Sequence, residues 1–504
     1  MKPPEMGHDT TATSSRGLPT SFAGRHVAII GLAREGMALA RLCLREGATV
    51  TVSDAWPAEA LRQEVDELTG IAGMGQPARL RLALGANRPQ DILDASIVFA
   101  SPGVPLDSPL LEAARSAAIP ISSLTELFFT RCQAPIVGIT GSSGKTTTTT
   151  LIGLMLKRGQ RPIYVGGNIG TTLIEDVATI PPGARVVLEL SSFQLEELRR
   201  SPSVAVVTNI TPNHLDRHGT MEAYIEAKSH ILRYQTAGDW LALNADDPAT
   251  PYLRSLSTAR PLAFSLRGPS AVSSSGAELG AYLDGERLTL LINGCPQVIC
   301  RADQMGVPGL HNVANALAAA VVAANGGIPV DQIAAVLRAF QGVPHRLELV
   351  RDSGGVRWYN DSIATTPERT LAALSVFPEQ PIVLLAGGRD KHLPWEALAD
   401  RIVGQCRALV VFGEAADLII GHVQAARRRA LAAGQRGLLA SDEAITRCVS
   451  LEEAVLVAAR WARPGDVALL SPGGTSYDMF KDFEERGARF RDLVGAGGPV
   501  ANGE

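Results

Sequence analysis

Short runs of Val, Ile and Leu recur along the chain, each followed by a longer stretch with apolar residues at helical spacing. This alternation predicts strand–helix units laid on parallel sheets. The pattern falls into three blocks. The first opens at His26–Ile30, continues through Thr49–Asp54 and residues 97–103, and ends in a helix-like stretch near Arg131. The second opens at Ile136–Thr140, includes the apolar runs at 185–190 and 204–209, and closes with an Ala-rich helix over 312–325 and a shorter one over 331–340. Within it, residues 265–280 are rich in Ser and Gly and predict a loop ahead of a small antiparallel patch. The third block follows Val343-Pro344-His345-Arg346 and carries apolar runs at 381–388, 408–413 and 467–472. No fixed period repeats, so solenoids and propellers are excluded. The reading is three α/β domains in series, over 21–133, 134–343 and 344–504, behind a polar extension (1–20) expected to be disordered.

A chain of 504 residues suits this count at roughly 150 residues per domain. Charge adds little. A net charge of -4 gives no general affinity for nucleic acid or an anionic membrane, so any phosphate binding must be local. Residues 1–20 contain no apolar core of a secretory signal, and no apolar run reaches the roughly 18 residues of a membrane span. The six cysteines form no C-x-x-C pair and are expected as reduced thiols packed in cores, as in a cytoplasmic protein.

Candidate chemistry is concentrated where strands end. The strand Ile136–Thr140 runs into Gly141-Ser142-Ser143-Gly144-Lys145-Thr146. Glycines there let backbone amides turn toward phosphates, the lysine reaches β and γ oxygens, and the Thr146 hydroxyl can ligand Mg²⁺. The general spacing places glycine at position 139, where this chain has Ile139, with Gly138 one residue earlier. Thr146 to Thr150 is a run of β-branched residues that disfavours a helix start. In the first block, Gly31-Leu32-Ala33-Arg34-Glu35-Gly36 is a G-x-G-x-x-G turn with Ala33 at the second glycine, and Asp54 ends the next strand at the spacing of a ribose-binding acid. Taken alone, this turn fits a dehydrogenase, a nucleotide-sugar site or a plain βα turn equally. The separate phosphate loop tips the balance toward a nucleotide-bearing substrate.

Glu189 ends a strand, in Leu188-Glu189-Leu190-Ser191-Ser192-Phe193-Gln194, and so should face phosphates and a metal. The next strand ends in a segment carrying His214, a reasonable second metal ligand in that position. Lys228 would ordinarily be a surface helix lysine.

Together these residues resemble the Mur ligases, most closely the members that add D-glutamate. The motifs occur in the family's order: Thr140 to Thr146, Glu189 to Glu196, Asn213 to His218, His311-Asn312-x-x-Asn315, His345-Arg346, Asn360-Asp361-Ser362, Gly387-Gly388-x-Asp390-Lys391, and Ser471-Pro472 through Arg486-Gly487. The resemblance spans residues 22–494. It implies a Rossmann-like N-terminal domain, a central P-loop domain with a mostly parallel sheet, and a Rossmann-like C-terminal domain. It also implies an ATP-dependent ligase of cytoplasmic peptidoglycan precursor synthesis, monomeric, joining D-glutamate to UDP-N-acetylmuramoyl-L-alanine through an acyl phosphate.

By the same resemblance, Gly141, Ser142, Ser143, Gly144, Lys145, Thr146, Thr147, Thr148, Asn312, Asn315, Arg346 and Asp361 hold ATP. Thr146 and Glu189 hold one Mg²⁺. His214 and Lys228, the latter carbamylated by CO₂, serve a second. Arg34, Glu35, Asp54, Ser101, Gly103, Asn168, Ser191 and Gln194 take the UDP-linked substrate, and Thr365, Lys391, Ser476 and Phe483 take glutamate. Lys145, Glu189, His214, Lys228 and Arg346 carry the catalysis. The chain departs from many D-glutamate ligases at Ile363, commonly lysine, and at Ala55-Trp56, where some members have Thr-Arg. Rival readings are L-glutamate as acceptor, another step of the same family, an ATP-binding module without chemistry, or an NAD-dependent dehydrogenase.

Overall fold

The apolar runs do become strands. A computed structural model describes residues 18–73, 79–168, 172–307, 309–391, 393–435, 437–439 and 441–495. Of the extension expected over 1–20, residues 1–17 lie outside the described residues.

In the first domain β1 (His26–Ile30), β2 (Thr49–Asp54), β3 (Leu80–Leu84), β4 (Ile97–Ala100) and β5 (Ile121–Ser122) form one parallel sheet in the order β3-β2-β1-β4-β5. Successive side chains of β1 point to opposite faces and both faces are covered. Val27 and Ile29 join one core with Val50, Val52 and the helix Arg34–Arg45, while Ala28 and Ile30 join another with Val98, Leu110 and Leu111. This two-sided burial is why β1 reads as an unbroken apolar run. The strand order reverses between β1 and β4, so a crevice opens at the carboxyl end of β1, where the Gly31 turn lies.

The central domain adds β6 (Ile136–Thr140), β7 (Ile163–Gly167), β8 (Arg185–Glu189), β9 (Val204–Val207), β10 (Trp240–Asn244), β11 (Arg260–Ser265), β12 (Leu279–Asp284), β13 (Arg287–Ile292) and β14 (Cys295–Arg301). Their order is β14-β13-β12-β11-β10-β9-β6-β8-β7, parallel from β7 to β12 and antiparallel from β12 to β14. The stretch 265–280 is not all loop, since it contains a short helix, Pro269–Ser273, whose Val272 fills the space beside Gly280. The Ala-rich helix is Leu310–Asn325. Its run from Ala316 to Ala323 is fully buried, and its small side chains let it lie close along the helix Lys145–Leu156.

The C-terminal domain has β15 (Glu348–Ser353), β16 (Val356–Asn360), β17 (Ile382–Gly387), β18 (Cys406–Phe412), β19 (Ile445–Arg447) and β20 (Val467–Gly473), ordered β15-β16-β20-β17-β18-β19. Only β15 and β16 pair antiparallel; Gly354 and Gly355, with φ of +61° and +76°, make the two-residue turn between them. The first two sheets belong to one compact unit ending at Ala339, and the third to a second unit beginning at Phe340.

Among the described residues no helix is long and apolar enough to cross a membrane. The cysteines are all unpaired, but not all lie in cores as expected: Cys132 is half-buried and Cys295 is exposed.

Candidate functional site

The phosphate loop occupies the carboxyl end of β6, between β9 and β8. Gly141 has φ +146° and Gly144 has φ +78°. A Cβ at Gly141 would stand 1.9 Å from Thr208 Oγ1, and one at Gly144 would stand 2.1 Å from Asn315 Oδ1, so both positions require glycine on two grounds. Gly138 serves another purpose: its missing Cβ makes room for Pro202, whose Cγ would be 2.9 Å away. It is a packing glycine inside the strand.

The loop is tied to the end of β9. Ser142 N donates to Asn209 O (2.9 Å), Ser143 N donates to Asn209 Oδ1 (3.0 Å), and Thr208 Oγ1 donates to Ser143 O (2.7 Å). Ser142 Oγ donates to Thr211 O (2.8 Å) and lies 3.0 Å from Tyr224 Oη. Lys145 Nζ folds back onto Gly141 O and Ser142 O (3.0 and 3.3 Å). The threonine run helps itself: Thr150 Oγ1 donates to Thr146 O and Thr148 Oγ1 to Asn315 Oδ1, while Thr147 is half-buried on the same first turn. Packing against the helix Leu310–Asn325, to which Thr148 is bonded, offsets the poor propensity.

Glu189, at the end of β8, is 3% exposed. Its Oε1 accepts from Asn168 Nδ2 (3.2 Å), and its Oε2 is buried with no hydrogen-bond partner. Lys228 is 2% exposed, donates to Gly141 O (2.9 Å) and Thr140 Oγ1 (3.4 Å), and sits over the Tyr224 ring at 4.7 Å. Tyr224 lies four residues earlier on the same helix, hence on the same face. Burial first, then the neighbouring Lys145, push the Lys228 amine well below the usual lysine range, with Glu189 opposing. Far from a surface lysine, it is a buried amine disposed to be neutral.

His214 is exposed, with φ +53°, its ring 5.1 Å from that of Phe193. His218 is the more enclosed histidine. It stacks on Phe193, meets Tyr224 at 5.2 Å, and places its two ring nitrogens 3.0 Å from Ser192 Oγ and 3.3 Å from Glu196. Thr208, Asn209, Tyr224 and His218 are the residues that sequence reasoning passed over; strand-end position marked the first two, and spacing from Lys228 marked Tyr224.

In the first domain, Gly31 has φ +90°, and Gly36 lets the helix start lie against Gly31 O, which an added Cβ would reach at 1.9 Å. Asp54 is committed to this turn: Oδ2 accepts from Leu32 N (2.6 Å) and Oδ1 from Trp56 N (2.9 Å). Ser101 Oγ donates to Gly31 O (2.9 Å), with Gly103 exposed beyond it. Arg34 is exposed and donates to Gly167 O (3.0 Å), whereas Glu35 turns inward to accept from Gln194 Nε2 (2.6 Å). Gln194 in turn completes a capping box with Ser191.

In the second unit, Asp361 is buried, accepting from Ser471 Oγ (2.9 Å) and Leu347 N (3.2 Å), and burial lifts its carboxyl to about 7. Arg346, exposed, is near enough to oppose that rise. Thr365 Oγ1 accepts from Lys391 Nζ at 3.4 Å, and burial, with Arg369, lowers the lysine below its usual range. Ser476 is buried in the loop after β20, and Phe483 starts the helix Phe483–Val494. Arg486 of that helix, fully buried, donates to Ser362 O, Ser362 Oγ and Gly474 O, lacing together the loops after β16 and β20. Ile363 takes part through its backbone: its N donates to His345 O, and its O accepts from Thr365 N and Arg369.

Among the described residues no three His, Cys, Asp or Glu side chains converge as a metal cage. A cation here would be held by the unpartnered Glu189 oxygen, hydroxyls and a ligand's own oxygens, and that donor set suits a hard ion such as Mg²⁺.

Three family models match the chain: "Mur ligase MurD-like, N-terminal domain" over residues 25–123, "Mur ligase middle domain" over 139–323 and "Mur ligase, glutamate ligase domain" over 345–474. The UDP-N-acetylmuramoylalanine–D-glutamate ligase of Symbiobacterium thermophilum is 42% identical across 93% of this chain and 97% of its own length. That of Pelotomaculum thermopropionicum is 40% identical across 94% and 98%. The crystal structure of MurF from Acinetobacter baumannii, 17% identical, shares the fold with a TM-score of 0.50 over 94% of this chain and 91% of that one.

Proposed function

Because the chain belongs to the Mur ligase family, and its relatives match it nearly end to end, we propose that it joins D-glutamate to UDP-N-acetylmuramoyl-L-alanine at the expense of ATP. The observation that carries this reading is the meeting of three features at the adjacent carboxyl ends of β6 and β8: a glycine loop with Lys145, an unpartnered buried oxygen on Glu189, and a buried amine on Lys228.

ATP phosphates lie along Gly141 to Thr148, at the positive end of the helix Lys145–Leu156. Asn312, Asn315, Arg346 and Asp361 complete the nucleotide site. Thr146 and Glu189 would hold one Mg²⁺, and His214 with carbamylated Lys228 a second; bound there, the ions neutralise phosphate oxygens. Carbamylation needs a neutral amine. Its nitrogen pair attacks CO₂, a C–N bond forms, and one proton leaves to solvent, converting a cation into an oxygen ligand. The low proton affinity of Lys228 supports this.

Domains over 21–133, 134–343 and 344–504 divide the work. The first takes the UDP moiety at the Gly31 turn, through the backbone of Arg34 and Glu35 at the helix start, with Asp54, Ser101 and Gly103 beside it. Asn168, Ser191 and Gln194 guide the muramoyl-alanine arm, and Thr365, Lys391, Ser476 and Phe483 take glutamate. The alanine carboxylate attacks the γ-phosphorus and the bond to the β–γ bridging oxygen breaks, giving an acyl phosphate and ADP. The neutral glutamate amine then attacks the acyl carbon, phosphate leaves, and the surplus proton on nitrogen passes to solvent. Lys145 and Arg346 neutralise charge, and the rest of the protein's contribution is alignment. The protein acts in the cytoplasm as a monomer.

Phosphate release, measured with ATP and UDP-N-acetylmuramoyl-L-alanine against a panel of amino acids, tests this. D-Glutamate alone should support turnover. Release with L-glutamate, alanine or a diamino acid instead would reassign the step.

A further inference from the structure

Two consecutive residues of the first domain grip the central domain on both sides of Glu189. Arg34 donates to Gly167 O (3.0 Å), at the end of β7. Asn168, the next residue, donates from its backbone to Glu189 O (2.8 Å) and from its side chain to Glu189 Oε1 (3.2 Å). Gly167 has φ +96° and lies so close that a Cβ there would be 2.4 Å from Glu189 O. On the other side, Glu35 Oε1 accepts from Gln194 Nε2 (2.6 Å), and Gln194 Oε1 accepts from Ser191 N and Oγ (2.9 and 3.1 Å). Ser191 is two residues beyond Glu189. The start of the helix Arg34–Arg45 is therefore connected to Glu189 by two short chains of bonds, one through each strand end.

Glu35 is an expensive way to make such a contact. It is 8% exposed, its Oε2 has no partner, and it lines a small cavity with Leu124, Thr125, Phe128 and Leu190. An apolar side chain would suit those walls better, since a buried carboxylate oxygen without a donor is destabilising. What the side chain provides, and an apolar one could not, is an acceptor for Gln194, which is itself buried and otherwise committed to Ser191. We propose that Glu35 is a positioning residue: through Gln194 and Ser191 it holds the Gly31 turn in register with Glu189, so that a substrate anchored on the first domain presents its acyl carboxylate at the correct distance from the γ-phosphate. This rests on the reading that the first domain holds the nucleotide end of the substrate. Misplacing reacting atoms by about 1 Å costs on the order of 10²-fold in rate.

The test uses the full chain with Glu35→Leu, Glu35→Gln and Arg34→Ala. For each, kcat is normalised to folded protein, Kd for UDP-N-acetylmuramoyl-L-alanine is taken by calorimetry, and the thermal midpoint is recorded. Glu35→Leu should lower kcat ~10- to 100-fold with Kd within about threefold. Glu35→Gln, whose amide oxygen still accepts from Gln194, should recover kcat to within about threefold. Arg34→Ala, at an exposed position, should lower kcat in the same sense and keeps the inference testable if the leucine variant does not fold. A weaker Kd with unchanged kcat would mean direct substrate contact, and unchanged kcat per folded molecule would mean packing alone; either overturns the inference. Wild-type protein that neither binds this precursor nor releases phosphate would instead sink the functional reading, and the inference with it.

Discussion

Lys145 and Lys228 share one acceptor, Gly141 O, at 3.0 and 2.9 Å. Two ammonium groups so close repel, and burial falls on Lys228, so its amine gives up its proton far more readily than a surface lysine does. Their losses should differ. Lys145→Ala should reduce kcat by several powers of ten, because nothing else in the loop supplies a mobile positive charge to the phosphates. Lys228→Ala should also abolish turnover, but short carboxylic acids in the assay should restore part of it by standing in for a carbamate; full turnover without them would refute that modification. Asp361 sets a pH dependence. Its folded pKa of about 7 lies well above the usual aspartate range. Below about pH 4 the carboxyl is protonated in both states, and between there and about 7 only the unfolded chain ionises freely, so its contribution to stability declines through that window. Wild-type thermal midpoint should fall relative to Asp361→Asn between pH 5 and 8, whereas parallel curves would place the titration elsewhere.

At the scale of elements, strands buried on both faces were legible because nothing interrupts their apolar runs; β1, β6, β8 and β17 are of this kind. Strands such as β3, interrupted at its second residue by Arg81, or β19, only three residues long, carry no such signal. The phosphate loop was legible because glycine, lysine and threonine each have a specific task there. Its supports were not. Asn209 and Asn315 are more than sixty residues away in sequence, and only the sheet order brings them to Ser143 and Gly144. Lys228 shows the limit most clearly: a helix lysine looks the same in sequence whether it faces water or Tyr224. Glu35 and Gln194 were readable as polar residues near ligands, but their mutual bond was not. Gly144→Ala should raise KM for ATP at least tenfold and lower the thermal midpoint, since alanine pays about 1–2 kcal/mol in the left-handed region and also displaces Asn315. An unchanged KM would mean that Asn315 moves aside without consequence.

For the whole molecule, the proposed nucleotide contacts are split between the two compact units, with Lys145 and Asn315 before Ala339 and Arg346 and Asp361 after Phe340. The proposed reaction requires both sets to meet at one nucleotide during turnover. Small-angle scattering should therefore show a smaller radius of gyration with an ATP analogue than without, and no change would argue against closure. The central sheet carries a different consequence. It ends in β14, whose outer half, Cys295 to Val298, is exposed. An open edge of this type invites a neighbouring chain to add a strand, with aggregation as the result. Here Pro296 removes one amide donor, a bulge near Leu288 breaks the ladder behind it, and Arg301 ends the strand in ion pairs with Glu286 and Asp303. The remaining weak point of that border is a thiol, so on prolonged storage in air the first covalent dimers should be cross-linked through Cys295.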